Sequence, residues 1–547
     1  SGDAVTDADE NVAVGYNSLS TNTLGNRTVA VGTGALRDMN FTTATDSFNT
    51  AVGHSAGLLV TTGVQNTLIG GLAGDALTTG GENVAVGMYA LTAEDTGRKN
   101  VAIGVQALLS QNSDTDNCNT AVGYLAGKSV TTATNSTIIG GHAGDALTTG
   151  GSNTLVGYSA AGAMVEGSGN VAIGYLALDA DVGGQESVAI GANALGAQNF
   201  SSGTRPANNA LGLSAGASIT SGINNTIIGT FAGDALTDAD YNLAIGSAAL
   251  TADTLGSRSI AIGYNALAEQ NFTTATNSNN VAIGMGAGEK ISTGTYNTLL
   301  GNGAGDSITT GVNNTCIGNG TGTALTTGGY NVGIGDDALT TITTGQFNIS
   351  IGRYAGFGQT TTNHNCLIGY LNGYAGGQAN QLTGGGNTLV SGGYTNTANA
   401  GDTASVVVGF NITGKGANTA LIGGSSGAYN EANNSSWSTT SDQRLKKNIV
   451  DSPIGLAEIN QIKVRNYEYK TEDDLSEIES DGLCKNDIIA KEGVQVSAIA
   501  QELQAVLPKC VTEENTGVLA VNTDNLIWHL VKAVQELSAK VKQLEES

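Results

Sequence analysis

The stretch NVAIGYLAL, residues 170–178, is one copy of a motif that recurs along most of this chain. Other copies are NVAVGYNSL from Asn11, NVAVGMYAL from Asn83, NLAIGSAAL from Asn242 and NISIGRYAG from Asn348. Alignment on the motif's glycine, from Gly15 to Gly369, gives 21 units whose spacing is 17 residues in sixteen of twenty intervals. Such a period predicts a repeat architecture in which each unit stacks on the next.

Each column of the motif has a physical interpretation. The residue before the glycine is Val, Ile or Leu in every unit, so we predict that this column, which includes Ile173 and Ile245, points inward and forms the core. The asparagine four residues before the glycine predicts a ladder of side-chain hydrogen bonds between units. The glycine itself supplies a corner because it has no Cβ, and the alanine three residues later indicates a tight contact.

These features predict a mainly β protein whose residues 1–373 form a rod-like parallel β-solenoid, or β-roll, of about 21 rungs, a rung being one turn of the coil. The repeat register loosens after residue 373 and partly returns before residue 424. We therefore predict a tapering β region or head over residues 374–440. The N-(V/T)-A-(V/I)-G pattern resembles the head repeats of trimeric autotransporter adhesins, and this resemblance implies a β-roll packed as a trimer.

Composition excludes several classes of function. The net charge is −25, and only ten of the 22 Lys and Arg residues precede residue 441, so we expect no nucleic-acid partner. No apolar run approaches the roughly 20 residues that cross a bilayer, so we expect no membrane insertion. The five cysteines are scattered without metal-ligand spacing, and we expect no cofactor and no resident metal.

Two weaker patterns suggest ligand or metal contacts. Polar insertions lengthen the repeat and carry Phe41, Phe200 and Phe272, which either contact a ligand or reflect simple tolerance of insertions at rung corners. The recurrent segment GLAGDALTTGG partly resembles the calcium-binding nonapeptide of β-roll toxins, with the spacing off by one residue, and an Asx turn explains its aspartate with fewer assumptions. The aspartates at the matching positions, the weak metal candidates, are Asp75, Asp145, Asp234 and Asp306.

The composition changes after residue 440, where a charged, helix-forming sequence begins with SDQRLKKNIVDSPIGLAEINQIKVRNYEYK. Together with VQVSAIAQELQAVLPKCV and the tail from Val521, it resembles the C-terminal intramolecular chaperone of phage tailspikes, tail fibres and endosialidases, a family of self-cleaving serine peptidases. The resemblance covers residues 441–547 and implies a small α+β domain. It also implies Ser441 as nucleophile, Lys446 as base, and one cleavage between Thr440 and Ser441, in cis or within the trimer. No other catalytic activity is indicated.

The last residues of the chain predict a coiled-coil helix over about residues 526–547. Apolar residues there recur at alternating steps of three and four, as in the a/d seam of a coiled coil. We predict a homotrimer because both resembled families are trimeric. The seam consists of Ile527, Leu530, Val534, Leu537, Val541 and Leu544.

The combination of a long acidic rod and a folding domain predicts a phage tail fibre or related virion appendage. Its expected partners are its own copies, a host-surface glycan or other receptor, and other virion tail proteins. We expect it to be made in the host cytoplasm and to act extracellularly on the virion. The alternatives are a tailspike that degrades polysaccharide and a cellular surface adhesin that uses the same chaperone.

Overall fold

A computed structural model describes residues 1–373, 382–423, 443–471, 474, 493–513 and 519–547, together with the backbone of 428–431. The chain packs as two compact units, Ser1–Thr439 and Thr440–Ser547. Within the described ranges, no helix is both long enough and apolar enough to cross a membrane.

The first unit is a parallel β-solenoid of about 24 turns, which confirms the predicted fold. Each turn contributes one short strand, and successive strands pair residue for residue one repeat apart, as Val171 with Val188 and Ile173 with Ile190. The parallel strands are Val12–Val14, Val29–Val31, Thr50–Val52, Thr67–Ile69, Val84–Val86, Val101–Ile103, Thr120–Val122, Thr137–Ile139, Thr154–Val156, Val171–Ile173, Val188–Ile190, Asn209–Leu211, Thr226–Ile228, Leu243–Ile245, Ile260–Ile262, Val281–Ile283, Thr298–Leu300, Thr315–Ile317, Val332–Ile334, Ile349–Ile351, Cys366–Ile368, Thr388–Val390, Val406–Val408 and Thr419–Ile422.

The parallel ladder continues beyond the 21 regular repeats through three further strands, from Thr388 to Ile422. The strand Ala428–Glu431 then pairs antiparallel with the last of them. Outside this ladder, two-residue strands form three further parallel pairs in the described part of the solenoid. They join Gly25–Asn26 to Thr45–Asp46, Gly256–Ser257 to Thr276–Asn277, and Thr395–Asn396 to Ile412–Thr413.

The prediction that the residue before the aligned glycine forms the core is wrong, because that residue lies on the outer side of the rung. The middle residue of the strand points inward, and Ala172 and Ala244 are 0% exposed. Ile173 and Ile245, immediately before the glycine, lie on the outer side and are partly exposed. The asparagine side chain must point inward to reach the next rung, and side chains alternate along a strand. The second residue after the asparagine is therefore inside and the third is outside.

Residues at equivalent positions of successive rungs form columns in the interior. Within one rung, a small side chain in one column is matched by a large side chain in another. Where the column four residues after the aligned glycine holds leucine, as at Leu91, the strand's inward residue is small, as at Ala85. Where that column holds glycine, as at Gly74, larger side chains such as Leu68 and Leu77 fill the space. Each cross-section thus reaches close packing with a different combination of side chains.

The asparagine ladder is confirmed and supplies polar bonds between rungs. The Asn66 backbone N–H donates to Asn49 Oδ1 at 2.9 Å, and Asn49 Nδ2 donates to the Gly63 carbonyl at 2.7 Å. The corner glycine is equally constrained. Gly174 has φ +140°, and a Cβ there would lie 2.5 Å from the Gly191 carbonyl oxygen, so no other residue fits.

The second unit is small and mixes short strands with helices. Its strands form two antiparallel pairs, Arg465–Tyr467 with Gln495–Ser497 and Val511–Glu513 with Leu519–Val521. A buried cluster at its centre comprises Leu503, Leu507, Cys510 and Val511. The α-helices are Leu456–Ile459, Ala500–Val506 and Thr523–Glu545, and the 3-10 helices are Gln443–Leu445 and Pro508–Cys510.

Candidate functional sites

The C-terminal helix Thr523–Glu545 is anchored to its own unit along one face. Asn522 caps its start by accepting hydrogen bonds from the backbone N–H groups of Asp524 and Asn525. Ala533 is buried against the unit, and a carboxylate oxygen of Glu536 accepts from the Leu456 backbone N–H at 2.8 Å. One side of the helix therefore has intrachain partners.

The predicted coiled-coil seam runs along the helix beside this anchored face. Its six apolar side chains are 45% to 75% exposed, from Val541 to Leu544. A continuous exposed apolar stripe of this kind on a soluble helix marks an interaction surface. The helix therefore has one face bonded within the chain and one face suited to bind other helices.

The predicted catalytic pair is only partly within the described residues. Lys446 follows the 3-10 helix Gln443–Leu445, its backbone N–H donates to the Gln443 carbonyl at 3.0 Å, and its side chain is exposed. Ser441 and the predicted cleavage site Thr440–Ser441 lie outside the described residues. Ser441 as nucleophile with Lys446 as base accordingly remains a prediction.

The insertion loops are anchored to the rod. Phe41 and Phe272 are each 6% exposed, while Phe200 is partly exposed. The Phe272 backbone N–H donates to Asp253 Oδ1 at 3.1 Å, which ties the loop to the rung before it. Two of the three rings therefore pack against the rod, and Phe200 keeps a partly exposed side chain.

The anchoring groups are buried carboxylates that the sequence analysis missed. Glu94, Asp181 and Asp253 are each 0% exposed, and each lies in the rung before an insertion. Asp181 accepts from Gln198 Nε2 at 2.7 Å, from the Gly184 N–H at 3.1 Å and from the Phe200 N–H at 3.0 Å. A sequence signal exists, because the carboxylate stands seven residues after the aligned glycine and 17 before a glutamine.

The network around Asp253 extends this arrangement to the asparagine ladder. Gln270 Nε2 donates to Asp253 Oδ2 at 2.5 Å, and Gln270 Oε1 accepts from Asn280 Nδ2 at 2.8 Å. Burial raises the pKa of the Asp253 carboxyl above its ordinary value, although the hydrogen bonds from Gln270, Phe272 and Gly256 act in the opposite direction. A buried charge is thus held by donors from two consecutive rungs.

The first insertion uses a neutral version of the same network. Asn22 occupies the carboxylate column, where its side chain bonds to both backbone groups of Gly25. Met39 replaces the glutamine, and Asn49 Nδ2 contacts its sulfur at 3.5 Å. The solenoid therefore contains both an ionisable and a non-ionisable form of one anchor.

The four turn aspartates do not form a metal centre. Asp75 and Asp234 accept hydrogen bonds from threonines one rung further along, Thr92 and Thr251. Asp145 Oδ2 lies 2.9 Å from His142 Nδ1. Among the described residues, no group of three or more His, Cys, Asp or Glu side chains could hold a metal ion.

Exposed aromatic rings stack along the rod in two places. The Tyr330 and Phe347 centroids are 4.9 Å apart, and those of Phe347 and His364 are 5.1 Å apart, with nearly parallel planes. Tyr330 is 51% and Phe347 45% exposed. In an earlier part of the rod, Tyr158 stacks on Tyr175 at 5.8 Å. These rows present flat apolar surfaces with polar edges to solvent.

Comparison with known proteins addresses the C-terminal unit. No curated protein matches the chain. One family model does match a segment of the C-terminal unit. This segment begins at Ser441, the predicted nucleophile, and includes Lys446 and the helix Ala500–Val506. It confirms the chaperone part of the sequence interpretation. Residues 441–512 match the family described as "Chaperone of endosialidase", so the β-solenoid is followed by a chaperone domain of the endosialidase type.

Proposed function

We propose that this protein is a trimeric virion tail fibre or related appendage that attaches to a host surface and is folded by its own C-terminal domain. The observation that carries the proposal is the order of the two parts: an endosialidase-type chaperone segment follows a solenoid of about 24 turns. Such a rod needs a folding aid, for a reason that its geometry explains.

A single rung cannot bury its apolar side chains alone, because its core contacts come from the rungs above and below. The terminal strands expose unpaired backbone groups that pair with any similar strand. Parallel pairings also require contacts distant in sequence, which form slowly and expose the chain to aggregation. A domain that assembles three chains at one end gives all three rods the same starting point.

The exposed seam of the C-terminal helix supports this role. Its six apolar side chains are exposed, while Ala533 and Glu536 on an adjacent face pack and bond within the chain's own unit. Three parallel helices joined through this seam would form a coiled coil and bury it. The helix would then serve as the trimerisation element of the chaperone.

Release of the chaperone by self-cleavage completes the proposal. Ser441 Oγ attacks the Thr440 carbonyl carbon, and the neutral Lys446 amine takes the hydroxyl proton. The peptide bond breaks as Lys446 returns this proton to the departing nitrogen, which leaves an ester on Ser441 and a free Ser441 amino group. One water molecule then hydrolyses the ester and restores the hydroxyl. The trimeric rod loses its folding template and becomes kinetically trapped.

Deletion of residues 441–547 tests the chaperone role. We expect residues 1–440 expressed alone to aggregate, because register and stoichiometry are no longer set. The measurement is the soluble yield and the mass by light scattering, with the full chain as control. Soluble, heat-resistant trimers from the truncated chain would refute the role.

Mass spectrometry of the purified full chain tests cleavage separately. We expect a fragment of 107 residues beginning at Ser441. Ser441→Ala and Lys446→Ala should both abolish it, whereas Lys447→Ala, the neighbouring lysine, should cleave normally. Continued cutting between residues 440 and 441 in the Ser441→Ala protein would refute the dyad while leaving the chaperone role intact.

The stacked aromatic rows support a glycan as the attachment target, because sugar rings pack their C–H faces on aromatic planes. Phe347→Ala removes the middle ring of one row and should weaken binding to host-surface polysaccharide about tenfold. Tyr16→Ala, which removes a highly exposed tyrosine near the other end of the rod, is the matched control. New reducing ends during incubation would instead favour the polysaccharide-degrading alternative.

A further inference from the structure

Among the residues that the structure describes in the first unit, one face of the solenoid is apolar and is not covered by that unit. We call it the outer strand face, and it consists of the first and third residues of the three-residue parallel strands, with Ala420 and Ile422 in the equivalent places of the last strand. The third position holds Val, Ile or Leu in every one of them, and the first holds mainly Val, Thr, Ile or Leu. These side chains are partly or largely exposed, for example Val14 at 55% and Leu300 at 44%.

Charge is absent from this face, although it is common beside it. Neither the first nor the third position is charged in any of the described parallel strands, in a chain with 47 Asp and Glu residues. The column just before the asparagine does carry charges, which pair between rungs. Arg27 Nε lies 3.0 Å from Glu10 Oε2, and Lys99 Nζ lies 2.6 Å from Asp116 Oδ2. Low charge is thus a property of the face.

We propose that the outer strand face is an interface, covered by the same face of two further copies of this chain, parallel and in register. This inference rests on the trimer in the proposed function, and it assigns the surface through which the rods associate along their length. A stripe of exposed aliphatic side chains this extensive is rare on a monomeric protein and marks a binding surface.

Length and charge both favour copies of the chain as the occupant. The face recurs at every turn of the solenoid, so only a partner with the same period and number of rungs covers it completely. Each copy carries a net charge of −25, so approach through any acidic side brings like charges together. The outer strand face is where two copies can meet without that repulsion, and β-sheets pack well face to face through such side chains.

Cysteine labelling of the full-length protein tests the interface. Leu300→Cys places a thiol on the outer strand face, and Lys290→Cys places a matched thiol on an exposed position of the preceding turn. We expect the thiol at position 300 to react with an alkylating reagent at least about tenfold more slowly than the thiol at 290, because a covered thiol is inaccessible. Thr298→Cys, also exposed on the same face, serves if the Leu300 variant is insoluble.

Native cysteines calibrate the same experiment, with labelled peptides identified by mass spectrometry. Cys118 is exposed beside the face and should react readily, whereas Cys316 is fully buried in the rung and should react only after unfolding. Burial also raises the pKa of the Cys316 thiol to about 12, which suppresses the reactive thiolate. These two thiols define the fast and slow limits.

Light scattering on the same samples separates the two proposals. A trimeric mass with protection at position 300 supports the interface. A trimeric mass with equal labelling at positions 300 and 290 overturns the interface and leaves the C-terminal seam to join the chains. A monomeric mass overturns the trimer of the proposed function, and the interface with it.

Discussion

The inside and the outside of a single strand show how differently the two sides of this rod are determined. Ala172 contacts only its own chain, and the ladder of asparagines fixes its direction. Ile173, the next residue, is larger and more apolar, yet it lies on the outer strand face. Within this strand the small residue joins the intrachain core, and the larger aliphatic residue is left at the surface.

The two sides of one strand should respond very differently to the same introduced charge. Ala172→Asp buries a carboxylate among closely packed rungs and should cost several kcal/mol, unfolding neighbouring turns. Circular dichroism and thermal melting measure the loss.

Ile173→Asp is the matched variant and should leave the rung folded while weakening association of the rods. Analytical ultracentrifugation would detect a looser or partly dissociated particle with β-structure retained. Equal loss of β-structure in both variants would show that the two sides are not distinguished in this way.

The helix seam offers a second and smaller disruption. Leu537→Asp places a charge in the centre of the proposed coiled coil and should shift the full-length protein toward monomer, weakening the free energy of association by about 2–4 kcal/mol. Gln535→Asp, at an exposed position two residues earlier, is the control. A trimeric Leu537→Asp protein at micromolar concentration would show that the seam is not what joins the chains.

The smallest expected effect concerns the two forms of the insertion anchor. The pKa of Asp253 is raised, so its neutral form is favoured in the folded rod relative to the unfolded chain. The rod should therefore be most stable below the ordinary carboxyl pKa and lose stability on this account as the pH rises through the raised value. Thermal melting across that window measures the slope.

A double substitution sharpens this test, because Asn22 and Met39 already show the neutral pairing. Asp253→Asn alone should destabilise by on the order of 1 kcal/mol, since the new amide cannot accept at both oxygens and Gln270 already bonds Asn280. Adding Gln270→Met should recover this loss, and the pH dependence should be flat in both variants because the carboxyl has been removed. A double variant with an unchanged pH slope would show that another group causes it.

Much of the rod could be predicted from the sequence because its constraints are local and repeated. The corner glycine, the asparagine ladder and the parallel register each follow from residue types that recur every 17 residues. The direction of the aliphatic column could not be read from hydrophobicity, because a single sequence does not say whether an apolar side chain is covered by its own chain or by another copy. The asparagine decides it, since alternation from that inward residue places Ile173 outside.

The functional sites were predicted less completely. The C-terminal seam could be predicted because the heptad spacing is explicit, and its six side chains are exposed on the helix. The buried carboxylates were missed because aspartate in a Gly-rich repeat is typical of a turn. Their role becomes visible only when Asp181 is aligned with the glutamine one repeat later, Gln198.

The compensating interior also limits how such a rod can change its length. The rung that contains Leu178 and Asp181 must be followed by a rung that supplies Gln198. The same order of cross-sections begins again at the turn that contains Leu250 and Asp253. Loss of one rung would bring together two rungs whose interior side chains do not fit each other. It would also leave a buried carboxylate without its glutamine partner. Loss of the whole block from Asn170 to Tyr241 would rejoin equivalent rungs. The solenoid can therefore lengthen or shorten in evolution by whole blocks of four or five turns, the spacings between its anchored rungs, and not by single turns.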